Sequence, residues 1–161
     1  MKLLTLKLAN LFKKDLSQFI YIIFLGITSS FSLPPYNYFV INFITFSLLF
    51  IFLFNKKVEI FKNKYFFKYG WFFGFGYFLS SLYWIVISLT FDQSFKFLIP
   101  FALILIPAFL AIFYGLITYL FSIFFSKNVI SSFLIFSVLF GLMEFIRGLI
   151  LTGFPWNLIS F

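Results

Sequence analysis

Five long apolar runs, separated by short segments that hold almost all of the charge, constrain this chain more than any other feature. The runs are roughly residues 17–33, 38–54, 65–91, 97–125 and 129–151. Each reaches or approaches the ~20 residues that an α-helix needs to cross the hydrocarbon core of a bilayer. Backbone polar groups in lipid must be satisfied within the segment, and the runs lack the polar/apolar alternation of a barrel strand. Helix is therefore the state they predict. Composition agrees: 63% of the 161 residues are hydrophobic and 10% are charged, against about 25% charged in a typical soluble domain. The predicted fold class is an all-α integral membrane protein with about five transmembrane helices.

The basic residues predict orientation. Nine of the twelve Lys and Arg lie before the first run, between the second and third, or between the fourth and fifth, and a tenth, Lys68, lies at the start of the third. Lys2, Lys7, Lys13 and Lys14 precede the first run. Lys56, Lys57, Lys62, Lys64 and Lys68 lie at the second connection, and Lys127 at the fourth. The other side holds Lys96, with Arg147 near the end of the fifth run. Cytoplasmic segments of membrane proteins carry the excess of Lys and Arg, so the amino terminus is expected in the cytoplasm and residues 154–156 on the outer face. The net charge of +8 is thereby read as a topology signal, not as a nucleic-acid surface. The first thirty residues also have the basic start, apolar run and small residues of a secretory signal. Four further runs follow at once, which favours an uncleaved first helix.

The chemistry available is narrow. There is no Cys and no His, and the only acids are Asp15, Glu59, Asp92 and Glu144. Thiolate nucleophiles, His general bases and the usual zinc sites are excluded within these residues. No metal or cofactor site is predicted. The 32 Phe accompany many Ile, Lys and Asn, as a coding bias would produce, so a single Phe says little about function.

Two stretches carry information. In the third run Gly70, Gly74, Tyr77, Ser81, Trp84 and Ser88 recur at steps of three and four and so share one helical face. Small residues there allow close helix contact and hydroxyls can bond across it. The face reads as a helix–helix seam, or as a groove in which Tyr77 and Trp84 meet an acyl chain or headgroup. In the fifth run Glu144 and Arg147 are three residues apart, close enough to pair. Glu144 is about 15 residues into the run, roughly 23 Å along a helix axis. That places the pair near the outer interface, either as a neutralised anchor or as a headgroup site or strut for the following loop. Gly141 and Gly148 are expected to share its inward face. Gly153, Phe154, Pro155 and Trp156 then break the helix, with Trp suited to the interface. In the fourth run Pro100 and Pro107 are expected to bend or tilt the helix.

The stretch EFIRGLILTGFPWNLISF, residues 144–161, resembles the signature segment of apolipoprotein N-acyltransferases. FSLPPYNYF, residues 31–39, is similar to the family's first turn, and GWFFGFGYFLSSLYWIVISL, residues 70–89, to its Gly-rich span. The resemblance covers essentially the whole chain. It implies that residues 1–161 are the amino-terminal membrane domain of a multi-pass protein of the bacterial inner membrane. It also implies a following extracytoplasmic nitrilase-like domain with a Glu-Lys-Cys triad. That enzyme would take an acyl chain from a phospholipid donor and pass it to the α-amino group of a lipoprotein's diacylglyceryl-cysteine. The expected partners are thus phospholipid, lipoprotein acceptor and bilayer, with no nucleic acid and no metal. The chain has no Cys, and the family pattern continues past its last residue. Alone it is expected to be inactive, with no catalytic residue of its own and Glu144 distinct from the triad's Glu. Tyr77, Trp84, Glu144, Arg147, Gly153, Phe154, Pro155 and Trp156 are expected to line or support the lipid route. A free-standing membrane scaffold or transporter, or a non-functional truncated product, remain the alternative readings.

Overall fold

The computed structural model describes residues 15–59, 63–83, 87, 90, 91 and 93–150, leaving aside the side chains of residues 15, 59 and 93–95. Among them are five α-helices and no strand: α1 Asp15–Ser29, α2 Val40–Glu59, α3 Lys64–Ser81, α4 Ile99–Ile123 and α5 Val129–Ile150. The segments Val40–Val58, Lys96–Ile123 and Val129–Ile150 are long and apolar enough to cross a membrane, and Leu16–Ser32 is a shorter apolar helix. The protein is an all-α membrane bundle, as its apolar runs predict.

Successive helices are antiparallel. Tyr21 of α1 meets Phe52 of α2, while Ser29 hydrogen-bonds Asn42. Phe46 and Phe52 of α2 meet Phe73 and Tyr69 of α3. Phe66 and Gly74 of α3 lie against Thr118 and Ala111 of α4. Phe121 and Tyr114 of α4 pack on Phe136 and Phe140 of α5. In each pair, rising numbers on one helix meet falling numbers on the next. The turn after α1 is a 3₁₀ turn over Ser30–Ser32 and a cis Pro34–Pro35 peptide. Asn37 adopts φ 57°, a left-handed conformation that Asn tolerates better than most residues. At the start of α5 the Asn128 side chain accepts bonds from the N–H groups of Ile130 (2.9 Å) and Ser131 (3.2 Å), an N-cap.

The least apolar of the five helices, α3, is the innermost. Lipid tails are as apolar as Leu side chains, so helices in a bilayer associate through close packing and hydrogen bonds. Glycines supply the close packing on two sides of α3. On one side a Cβ at Gly70 would strike the Tyr114 carbonyl and Thr118, and one at Gly74 would lie 2.9 Å from the Tyr114 Cβ. Phe67 fills the space left by Gly115 of α4. On the other side a Cβ at Gly76 would stand 2.5 Å from the Ile23 carbonyl oxygen, and one at Gly26 of α1 would strike the Phe73 carbonyl. Hydrogen bonds cross both seams. The Thr118 hydroxyl donates to the Phe66 carbonyl (2.6 Å), the Trp71 indole to the Ala108 carbonyl (3.1 Å), and the Tyr69 hydroxyl to Gln18 (3.1 Å).

Three expectations change. The third run is not one helix to Phe91. α3 ends at Ser81, where the Leu82 N–H bonds the Phe78 carbonyl at φ −101°, ψ 11°. Ser80 turns its hydroxyl back onto the Gly76 and Tyr77 carbonyls (2.8 and 3.1 Å), a contact that competes with regular helix bonding. Apolarity continues past this point, but α3 itself does not, and Ile87 and Thr90 are helical again beyond the break. Pro100 sits in the first turn of α4, where a missing N–H costs nothing, and only Pro107 lies within the helix. Gly141 faces open space: a Cβ placed there would meet nothing within 4 Å. The inward line of α5 is instead Ser132, Phe136, Phe140, Glu144 and Arg147.

These contacts predict opposite outcomes for two glycines. Gly70→Val should destabilise the bundle by about 1–3 kcal/mol through overpacking against helix backbone. Gly141→Ala should leave it unchanged. Thermal unfolding of the two variants in one detergent measures the contrast.

Candidate functional site

Three helices converge on the charged pair of α5. The Arg147 guanidinium donates from Nη2 to Oε2 of Glu144 at 2.8 Å, the pairing that their spacing predicts. The pair is more deeply enclosed than an interfacial anchor: Arg147 is 1% exposed and Glu144 8%. The guanidinium lies over the ring of Phe78 from α3, 4.8 Å from its centroid. An electron-rich ring face offsets part of the desolvation of a buried cation.

Tyr77 is fully buried beside Phe78 and within electrostatic reach of both charges. Its ring stacks on Tyr114 of α4 at 5.9 Å. Tyr114 is the hub of the cluster. Phe73 stacks near it at 5.9 Å, Phe78 and Phe140 meet it edge-on at 5.3 and 5.4 Å, and the residue is fully buried. Edge-to-face and offset ring contacts each add to simple burial. Here they tie α3, α4 and α5 together around one ion pair.

Tyr77, Glu144 and Arg147 are thus brought together. Trp84, Gly153, Phe154, Pro155 and Trp156 lie outside the described residues, as do Ser88 and Thr152. Sequence reasoning missed Tyr114, Phe78 and Phe140. A signal for Tyr114 was present: Ala111, Tyr114, Gly115, Thr118 and Ser122 recur at helical spacing within an Ile-, Leu- and Phe-rich run, and all five are buried. Small and polar residues on one face of a membrane helix mark the face that meets protein.

The cluster holds a neutralised acid, an enclosed cation and two tyrosine hydroxyls, and no nucleophile suited to acyl transfer. Among the described residues, no group of three or more His, Cys, Asp or Glu could hold a metal ion. The arrangement can fix the direction in which α5 leaves the bundle; it has no exposed base or thiol with which to do chemistry itself.

Among the described residues the chain is a helical bundle, closed around an internal ion pair, with helices long and apolar enough to cross a membrane. Residues 25–161 match the family model described as the apolipoprotein N-acyltransferase N-terminal domain, and the chain belongs to this family. Over 84 residues it is 42% identical to the apolipoprotein N-acyltransferase of Rhizobium leguminosarum bv. trifolii, 45% to that of Rickettsia prowazekii and 38% to that of Brucella melitensis. Each alignment covers 52% of this chain and 16% of the relative, so the match reaches only a minor part of those proteins' length. No solved structure matches the chain.

Removing one member of the ion pair should cost more than removing both. Arg147→Gln leaves a buried carboxylate uncompensated and should destabilise the bundle by about 3–5 kcal/mol. Glu144→Gln/Arg147→Gln should recover much of that loss. Equilibrium unfolding of the two variants checks the order. In the same assay Tyr114→Phe, which keeps the ring contacts, should retain far more stability than Tyr114→Ala.

Proposed function

We propose that this chain is the membrane domain of an apolipoprotein N-acyltransferase of the bacterial cytoplasmic membrane. The reaction moves an acyl chain from a phospholipid to the α-amino group of a lipoprotein's diacylglyceryl-cysteine. The observation that carries this reading is the family match across residues 25–161. In this reading residues 1–161 form the membrane domain, and the chemistry belongs to a nitrilase-like domain with a Glu-Lys-Cys triad. Its Cys sulfur attacks the phospholipid ester carbonyl, forming a thioester and releasing the lysophospholipid alcohol. The acceptor amine then attacks the thioester, forming the amide and returning the thiol. Glu acts as the base and Lys stabilises the oxyanion. The 161 residues contain no Cys, so they cannot supply that nucleophile and alone should be inactive.

Glu144 and Arg147 serve as a strut. They hold the end of α5 against Phe78 and Tyr114, and so set where Gly153, Phe154, Pro155 and Trp156 begin. Complete burial of Tyr77 supports the same supporting role over direct contact with lipid. The antiparallel order supports the predicted orientation. It gathers Lys57, Lys64, Lys68 and Lys127 at one end, the cytoplasmic one, and leaves Lys96 at the other.

Two experiments test these statements. In cells depleted of their own enzyme, mass spectrometry of a lipoprotein should find no N-acylation with this chain alone. N-acylation should return when the chain is joined to the remaining part of the Rickettsia prowazekii relative. Acylation by the chain alone would overturn the division of labour. In the joined protein, Glu144→Ala should lower the rate about 10–100-fold through misplacement of the outer segment, and an unchanged rate at equal expression would remove the strut. For orientation, the Cys-free chain allows single-Cys variants. Lys96→Cys should react with a membrane-impermeant maleimide in spheroplasts, and Lys127→Cys only after lysis.

A further inference from the structure

The Lys-bearing end of the bundle is built more deliberately than a topology signal requires. Contacts between helix ends assemble it. Phe54 at the end of α2 meets Phe125 just past α4 at 5.3 Å, and Thr118 of α4 bonds the first turn of α3 through Phe66. Ser132 of α5 bonds both the N–H (3.1 Å) and the carbonyl (2.5 Å) of Ser126, next to Lys127. Lys57, Lys64, Lys68 and Lys127 are therefore presented on one end by four helix termini.

Two of the lysines sit beside aromatic rings. The Lys57 ammonium donates to the Asn63 side chain at 2.6 Å and lies 5.4 Å from the Phe66 ring centroid. The Lys68 ammonium lies 5.8 Å from the Tyr65 centroid. Lys64, Lys68 and Lys127 are exposed. Apolar rings beside ammonium groups suit the boundary between acyl chains and headgroups, where a Lys stem lies along apolar surface and its charge reaches outward. Every basic residue at this end is Lys; the chain's one Arg is Arg147, at the opposite end. Lys acts as a point charge toward phosphate and lacks the planar fork that Arg uses to read nucleic acid.

We propose that this end of the bundle is a docking surface for anionic phospholipid headgroups, with Lys57, Lys64, Lys68 and Lys127 presented to their phosphates. The partner is a lipid because the surface is the end of a bundle whose helices are long and apolar enough to cross a membrane, and headgroups lie where such helices end. The inference is independent of the acyltransferase reading: it concerns the end opposite Glu144 and Arg147, and its test involves no acyl transfer.

The test uses the whole chain in lipid nanodiscs and native mass spectrometry. Phosphatidylglycerol should be retained in preference to phosphatidylcholine of the same acyl chains, and the preference should weaken as salt is raised. Lys64, Lys68 and Lys127 are exposed, so their replacement leaves the helix seams intact. Each change to Gln should reduce the preference roughly fivefold, the effect of one Lys near an anionic surface, and the triple variant on the order of a hundredfold. The triple Lys→Arg variant should keep it, and Lys96→Gln should leave it unchanged. Equal retention of both lipids, or a preference untouched in the triple Gln variant, would overturn the proposal. Equally effective competition by glycerol phosphate or by a short RNA would also overturn it, by assigning the surface to free phosphate or to nucleic acid.

Discussion

The close approach of α3 to α4 is the contact on which the rest of the bundle depends. In a bilayer there is little hydrophobic gain from bringing two apolar helices together, because lipid tails offer the same environment. Association then relies on surfaces that fit. Gly70 and Gly74 remove the side chains that would hold the backbones apart, and the Tyr114 backbone and Ala111 move into the space. At that separation the Thr118 hydroxyl can reach the Phe66 carbonyl. A second glycine contact, Gly76 and Gly26, docks α1 on another side of the same helix. The least apolar helix can be innermost because it faces protein instead of lipid.

The charged cluster follows from that approach. Tyr114 lies within the tight seam, so its ring is fixed between Phe73, Tyr77 and Phe78 before α5 is considered. α5 adds Phe140 to the ring cluster and then Glu144 and Arg147 one and two turns on. A charged pair taken out of water is costly unless its geometry is good and its remaining polar atoms find partners. Here each charge neutralises the other, with the Phe78 ring face against the guanidinium. The cluster therefore specifies one packing of α5 against α3 and α4, because any slip would strand a charge among apolar side chains. That specificity is what a membrane domain needs if the segment after α5 is to start from a defined place.

The two ends of the bundle have different characters. Among the described residues, one presents the exposed Lys64, Lys68 and Lys127; the other holds the Glu144–Arg147 pair and Lys96. This asymmetry arises from the alternation of helix direction with a charge pattern of the same period.

The apolar runs by themselves determined an all-α membrane bundle and the pairing of Glu144 with Arg147, because bilayer thickness and helical periodicity are local rules; three of the five described helices are long and apolar enough to span. The Gly70–Gly74–Tyr77 face was legible for the same reason. The family was legible too, through the stretches around residues 31–39, 70–89 and 144–161. Other features needed the tertiary structure. The end of α3 at Ser81 coincides with the Ser80 hydroxyl turning back on the helix, within a run that stays largely apolar. Gly141 was expected inside and is outside, since a glycine carries no side chain to show which way its face turns. Tyr114 could be singled out only once α4 was placed against α3, because its role comes from rings that are distant in the chain. Local composition decides that a segment is a helix in a membrane; which of its faces meets protein, and at what distance, is decided by the neighbours that pack against it.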